Sequence, residues 1–210
     1  MLELMATRMQ WSSARPIISS TSLHTSRGWG ETITSAKESV YSDDIWTSAY
    51  KTLSNAARLH AYVGNKHVSF FDLRVLADDS RERILDWAKN NALIDLASAL
   101  RRSPFRVIEA PTTEAALEPY KSQKPKLIEA AMSEGKLYLQ FFSVRTYVHR
   151  EPISISEMTA SQQRVFAEYD ELIGVKTTAV PCFDTVVIDS ESELVQIRVD
   201  LRIQPVDATH

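Results

Sequence analysis

The C-terminal stretch from Val195 to Ile203 limits what this chain can fold into more than any other part of it. Val195, Ile197, Val199, Leu201 and Ile203 alternate without a fault with Gln196, Arg198, Asp200 and Arg202. Side chains of a strand point to opposite faces in turn, so strict period two reads as a half-buried antiparallel strand over 194–203. A second strand is expected over 175–189, joined to it by Ser190-Glu191-Ser192-Glu193. KLYLQFFSVRTYVH, residues 136–149, is rich in aromatic and β-branched residues and reads as a third. HVSFFDL (67–73) and FRVIEA (105–110) are shorter candidates.

Helical spacing dominates earlier in the chain. Ser42 is placed to cap a helix ending near Val63, with Ile45, Trp46, Ala49, Tyr50, Leu53, Ala56 and Ala57 on one face. Asp79 and Glu82 suit a capping box for a helix to Arg102, whose stripe is Leu85, Ala88, Ala92, Leu96 and Leu100. Shorter helices are expected near 112–118 and 125–134, the second opened by Pro125. Thr159 with Gln162 caps one expected to reach Ile173. The sum is α+β: a helical N-terminal half packed on an antiparallel sheet of about 4–5 strands from the C-terminal half. The domain is expected over 42–204, after a linker at 29–41 and before a tail at 205–210.

Residues 1–28 have a different composition. Arg8, Arg15 and Arg27 face a single acid, Glu3, among nine hydroxyl side chains in the first thirty residues. Arg-rich, Ser-rich and acid-poor is the composition of a mitochondrial transit peptide, and Arg27-Gly28 fits a cleavage point. The matrix is the expected location. No run of about 18 apolar residues, the length of a membrane span, occurs.

The chain has a net charge of −3, and −5 once the first 27 residues are set aside. An acidic body argues against broad binding to a phosphate backbone. Arg101, Arg102, Arg106, Lys121, Lys124 and Lys126 fall close together and leave a local basic patch as an RNA- or ribosome-binding alternative.

Catalytic signals are few. After residue 30 the glycines are Gly64, Gly135 and Gly174. Each falls where a helical pattern ends, as a left-handed cap would, so no Gly-rich loop is left for phosphate. The five histidines and the single cysteine, Cys182, form no motif with metal-ligand spacing. No cofactor and no metal are implied. FDTVVIDSESELVQIRVD places Asp184, Asp189 and Asp200 on one hairpin, as Mg²⁺-dependent nucleases do, with Asp184 and Asp200 the catalytic candidates. The second strand offers no Glu-x-Lys in order. With a three-residue turn, Asp184 is expected opposite Arg198. Gln196, Arg198 and Arg202 form a polar row suited to a partner surface. The function expected is a non-enzymatic mitochondrial accessory or assembly protein, bound to protein partners in a larger assembly, with a divergent nuclease or other enzyme as the alternative.

Overall fold

In the computed structural model of the chain, residues 2–9, 11–21, 23, 28–38, 43–64, 66–103 and 105–201 are described. Helices α1 (Leu2–Arg8), α2 (Trp11–Ser19), α3 (Trp29–Glu38) and α4 (Asp43–Val63) come first. Strand β1 (Lys66–Asp72) leads into α5 (Asp78–Asp86), a π-turn (Trp87–Asn91) and α6 (Ala92–Arg101). Short helix α7 (Glu114–Leu117) precedes β2 (Lys126–Ser133) and β3 (Lys136–Ile153). Helix α8 (Ala160–Val165) links these to β4 (Leu172–Asp189) and β5 (Leu194–Asp200). The strands make one antiparallel sheet in the order β1-β5-β4-β3-β2. The expected class, helices mostly in the first half and an antiparallel sheet in the second, is the one observed.

The central part of the sheet is covered on both faces. Ala88, Ala92, Trp87 and Leu96 of the α5–α6 segment pack on Leu137, Leu139 and Ile188. The stripe Ala88, Ala92, Leu96, Leu100 repeats every four residues, longer than the 3.6 of an α-helix. The wider π-turn absorbs the difference and keeps Ala88 and Ala92 both buried. On the other face Leu4, Ala61, Val107 and Leu117 meet Phe142, Val144 and Phe183. A third cluster joins Leu2, Met5, Met9, Ala14 and Ile18 to Ala49, Leu53 and Ala57 of α4. The segment with the transit-peptide composition is thus packed as helices α1 and α2 against the body. The expected linker is largely α3, with Ile33 and Ala36 against the same cluster.

Several local expectations are corrected. FRVIEA contains a 3₁₀ turn at Val107–Glu109, not a strand. Residues 126–133 are β2, not a helix, because pairing with β3 overrides the helical spacing of LIEAAM. The β2–β3 hairpin closes on Glu134 (φ 50°) and Gly135 (φ 72°), so Gly135 serves a tight turn, not a helix cap. Gly174 lies inside β4, where Ile153 crosses it and a Cβ would sit 3.0 Å from that side chain. Gly64 does end α4, through close approach to the His60 carbonyl. Helix α5 starts after Ala77 without a side-chain cap, so the Asp79–Glu82 box does not form. The Thr159–Gln162 box does form, but its helix stops at Val165, and Leu172 and Ile173 belong to β4. Ser42, Arg27, Arg202 and Ile203 lie outside the described residues.

Candidate functional site

The β4–β5 hairpin carries the acids singled out from the sequence. Its turn spans four residues, Ser190–Glu193, closed at Asp189↔Leu194. Asp189 holds that turn, accepting from the Glu191 and Ser192 amides and the Ser192 hydroxyl and pairing with Lys136 at 3.0 Å. These donors hold its carboxyl at about 2. The longer turn shifts the register by one. Thr185, not Asp184, stands opposite Arg198, and the expected Asp184–Arg198 pair is replaced by Asp184–Arg145.

Beyond Thr185↔Arg198 the β4–β5 ladder ends. Asp184 bridges the split: its Oδ1 accepts the Asp200 amide at 2.9 Å while Oδ2 pairs with Arg145. Arg145 in turn donates to the Asp200 carbonyl at 2.8 Å. The structure therefore brings Asp184 and Asp200 together and leaves Asp189 at the turn.

Asp200 is 6% exposed, and every direction around its carboxylate is used. Arg8 donates from Nη1 to Oδ2 at 2.7 Å and from Nη2 to Oδ1 at 2.9 Å. Lys66 Nζ is 2.5 Å from Oδ1, and the Phe183 amide is 2.6 Å from Oδ2. A carboxylate has about four lone-pair sites, so Asp200 is saturated. Burial works against its charge, and Arg8 and Lys66 outweigh that, holding its carboxyl below the usual range. A divalent ion would have to displace Arg8 or Lys66 to reach it.

Local geometry explains how Arg8 arrives there. Leu4 and Arg8 share one face of α1 at i, i+4 spacing. Leu4 enters the cluster around Phe183, and the Arg8 guanidinium lies over the Phe183 ring at 4.8 Å and donates to the Pro181 carbonyl. Three cations, Arg8, Lys66 and Arg145, thus face two carboxylates. His60 sits beside this excess of positive charge, and burial with Arg8 nearby lowers its pKa to about 4. It is neutral at physiological pH. Cys182 is buried, and burial pushes its thiol up, away from the reactive thiolate.

The other candidates are placed as follows. Gln196 and Arg198 are half-buried beneath the end of α4, where Arg198 donates to Gln196 and to the Tyr62 carbonyl. Arg101 and Arg102 are exposed at the end of α6, with Arg102 donating to the Ser98 carbonyl. The Arg106 amide donates to Glu109. Lys121 pairs with Glu118 at 2.5 Å, and Lys126 lies over the Tyr120 ring. Among the described residues no group of three metal-ligating side chains converges, and no helix is long and apolar enough to cross a membrane.

Sequence reasoning missed the two apolar surfaces that the fold exposes. Past Ser143 and Cys182 the β3–β4 ribbon has neither β2 nor β5 beside it. Its outer part, about 20 Å long from Val148 to Ile153, stands as a two-stranded arm. Register puts Val148, Val175 and Ile173 on one face of that arm, and all three are exposed. The second surface is β1, an outer strand bearing exposed Val68, Phe70 and Phe71. Comparison with protein-family models, curated proteins and solved structures gives no match.

Proposed function

We propose that this chain is a non-enzymatic accessory or assembly protein that works through contacts with other proteins. The exposed β3–β4 arm carries the reading. A two-stranded ribbon alone in water is marginal, and this one displays apolar side chains along one face while the core is built elsewhere. The two acids that could have served a nuclease support the same direction, since both are consumed by internal cations and amides.

The mitochondrial matrix is part of the proposal, supported by the composition of residues 1–28. Leu4, Met5, Arg8, Ala14 and Ile18 are buried, so we take the address to be one that stays on the folded protein. Fusion of residues 1–28 to a fluorescent reporter checks the location: matrix fluorescence supports it, diffuse cytosolic signal overturns it. The binding role is checked by affinity purification of the tagged chain and of Val175→Asp and Ile173→Asp variants from its own cells. Partners retained by the parent and lost by the variants, with unchanged circular dichroism, are expected. The same partners with all three proteins, or none with the parent, would overturn the role of the arm.

A further inference from the structure

Strand β1 ends the sheet. Among the described residues nothing pairs with its outer edge. The backbone phase of that edge is fixed by one hydrogen bond, from the Leu73 amide to the Glu193 carbonyl at 2.8 Å. In an antiparallel ladder, hydrogen-bonded pairs recur every second residue. Leu73 therefore sets Phe71↔Val195, Ser69↔Ile197 and His67↔Val199 as the pairs bonded to β5. The amides and carbonyls of Val68 and Phe70 point outward.

Outer strands of monomers are commonly blunted by an outward lysine, a proline or a bulge. Here VSFF carries none of these, and its register with β5 is unbroken. The one lysine of the strand, Lys66, has its ammonium buried against Asp200. Phe70 is 63% exposed, and Val68 lies on the same face, with Phe71 exposed on the other. Val75, 81% exposed, extends the apolar stretch just beyond.

The strand is complementary to itself. Its apolar residues Val68, Phe70 and Phe71 gather around Ser69, while the Lys66 ammonium is spent on Asp200 and the Asp72 carboxylate on Arg74. With the two-fold axis at Ser69, Val68 and Phe70 of one copy meet Phe70 and Val68 of the other. Both are outward-pointing positions, so each such pair exchanges two backbone hydrogen bonds. On the same face each Phe70 ring lies against the smaller Val68, and on the opposite face Phe71 meets His67. A two-fold contact needs this kind of self-matching patch.

We propose that the chain forms a homodimer in which β1 pairs antiparallel with β1 of a second copy about Ser69, continuing the sheet from one subunit to the other.

Sedimentation of the full chain at micromolar concentration tests it, together with three variants. Phe70→Lys puts charge on the exposed side chain. Phe70→Pro removes an amide that the monomer leaves unused, since proline is tolerated where the amide faces outward on an outer strand. Both are expected to weaken dimerisation at least about tenfold while near-UV circular dichroism stays that of the parent. Ser69 meets its own copy in a non-bonded pair, with Cα atoms about 4.5 Å apart, within disulfide reach. Ser69→Cys should therefore oxidise to a covalent dimer faster than Phe71→Cys. A monomeric parent would overturn the proposal and leave the edge to a foreign strand. A dimer that Phe70→Pro leaves intact, or Phe71→Cys crosslinking faster than Ser69→Cys, would overturn it as well.

Discussion

Arg8 and Asp200 lie 192 positions apart and meet in a two-point ion pair, 2.7 and 2.9 Å, with both side chains almost fully buried. The contact ties the first helix to the last strand. Removing Arg8 leaves Asp200 with Lys66 as counter-ion and with two of its buried hydrogen bonds unmade. Arg8→Ala is expected to destabilise the fold by about 1–3 kcal/mol, read from urea unfolding. Arg8→Lys keeps the charge but loses the fork, and should fall between the two. In a double-mutant cycle with Asp200→Asn, the paired change should cost less than the sum of the single ones. Additive losses would show that the two side chains do not act together.

His60 supplies a pH signature. Its pKa drops from 6.5 to about 4 in the folded chain, so between these values the unfolded chain binds a proton that the native one refuses. Stability is therefore full above pH 6.5, declines as pH falls toward 4, and levels off below that as far as His60 is concerned. Asp200 acts at lower pH. Its carboxyl is held below its ordinary 3.8, so its contribution is present above that value and fades as pH falls through the lowered one. Urea midpoints measured from pH 8 to 4 should slope for the parent and be flatter for His60→Gln. Equal slopes would refute the assignment to His60.

The β2–β3 turn yields a conformational test. Glu134 and Gly135 both take positive φ, a pairing that favours Asn-Gly. Glu134→Asn is expected to raise the melting temperature slightly. Gly135→Ala forces a Cβ into the left-handed region and should cost about 1–2 kcal/mol in thermal unfolding. Opposite signs for the two variants are the expected result.

Legibility of the sequence followed the range of the interactions. The alternation in β5 and the long aromatic β3 were readable because each needs only local period two. The class of fold followed from them. Residues 126–133 were misread because LIEAAM has helical spacing, and only pairing with Phe141 and Leu139 of β3 makes it a strand. At the acidic cluster Asp184 and Asp200 were visible, but their partners were not. Arg8 and Lys66 carry no local mark of pairing with a residue more than a hundred positions away. Arg8 was also absorbed into a composition pattern, where an arginine counts as an address rather than as a counter-ion. The i, i+4 match of Leu4 with Arg8 was the one available hint that α1 has a side facing the core. The exposed arm was hidden for a related reason: nothing in β3 or β4 alone shows where their outer neighbours stop.

The sharpest expectation concerns those first residues. Leu4, Met5, Ala14 and Ile18 are each buried to 2% exposure or less; Met5, Ala14 and Ile18 cover Ala49, Leu53 and Ala57 of α4, and Leu4 packs with Ala61 and Phe183. Deleting residues 1–23 removes that cover together with Arg8. Asp200 then keeps Lys66 and the Phe183 amide but loses the two-point Arg8 fork. The truncated chain should bind a hydrophobic dye and lose near-UV circular dichroism while keeping much of its far-UV signal, the mark of lost packing with retained secondary structure. N-terminal sequencing of the protein recovered from its own cells should find α1 intact. A truncated chain as stable as the parent, with cells yielding a form that starts near Gly28, would mean that the helices are carried only until the chain reaches its destination. The Arg8–Asp200 pair would then belong to the precursor alone.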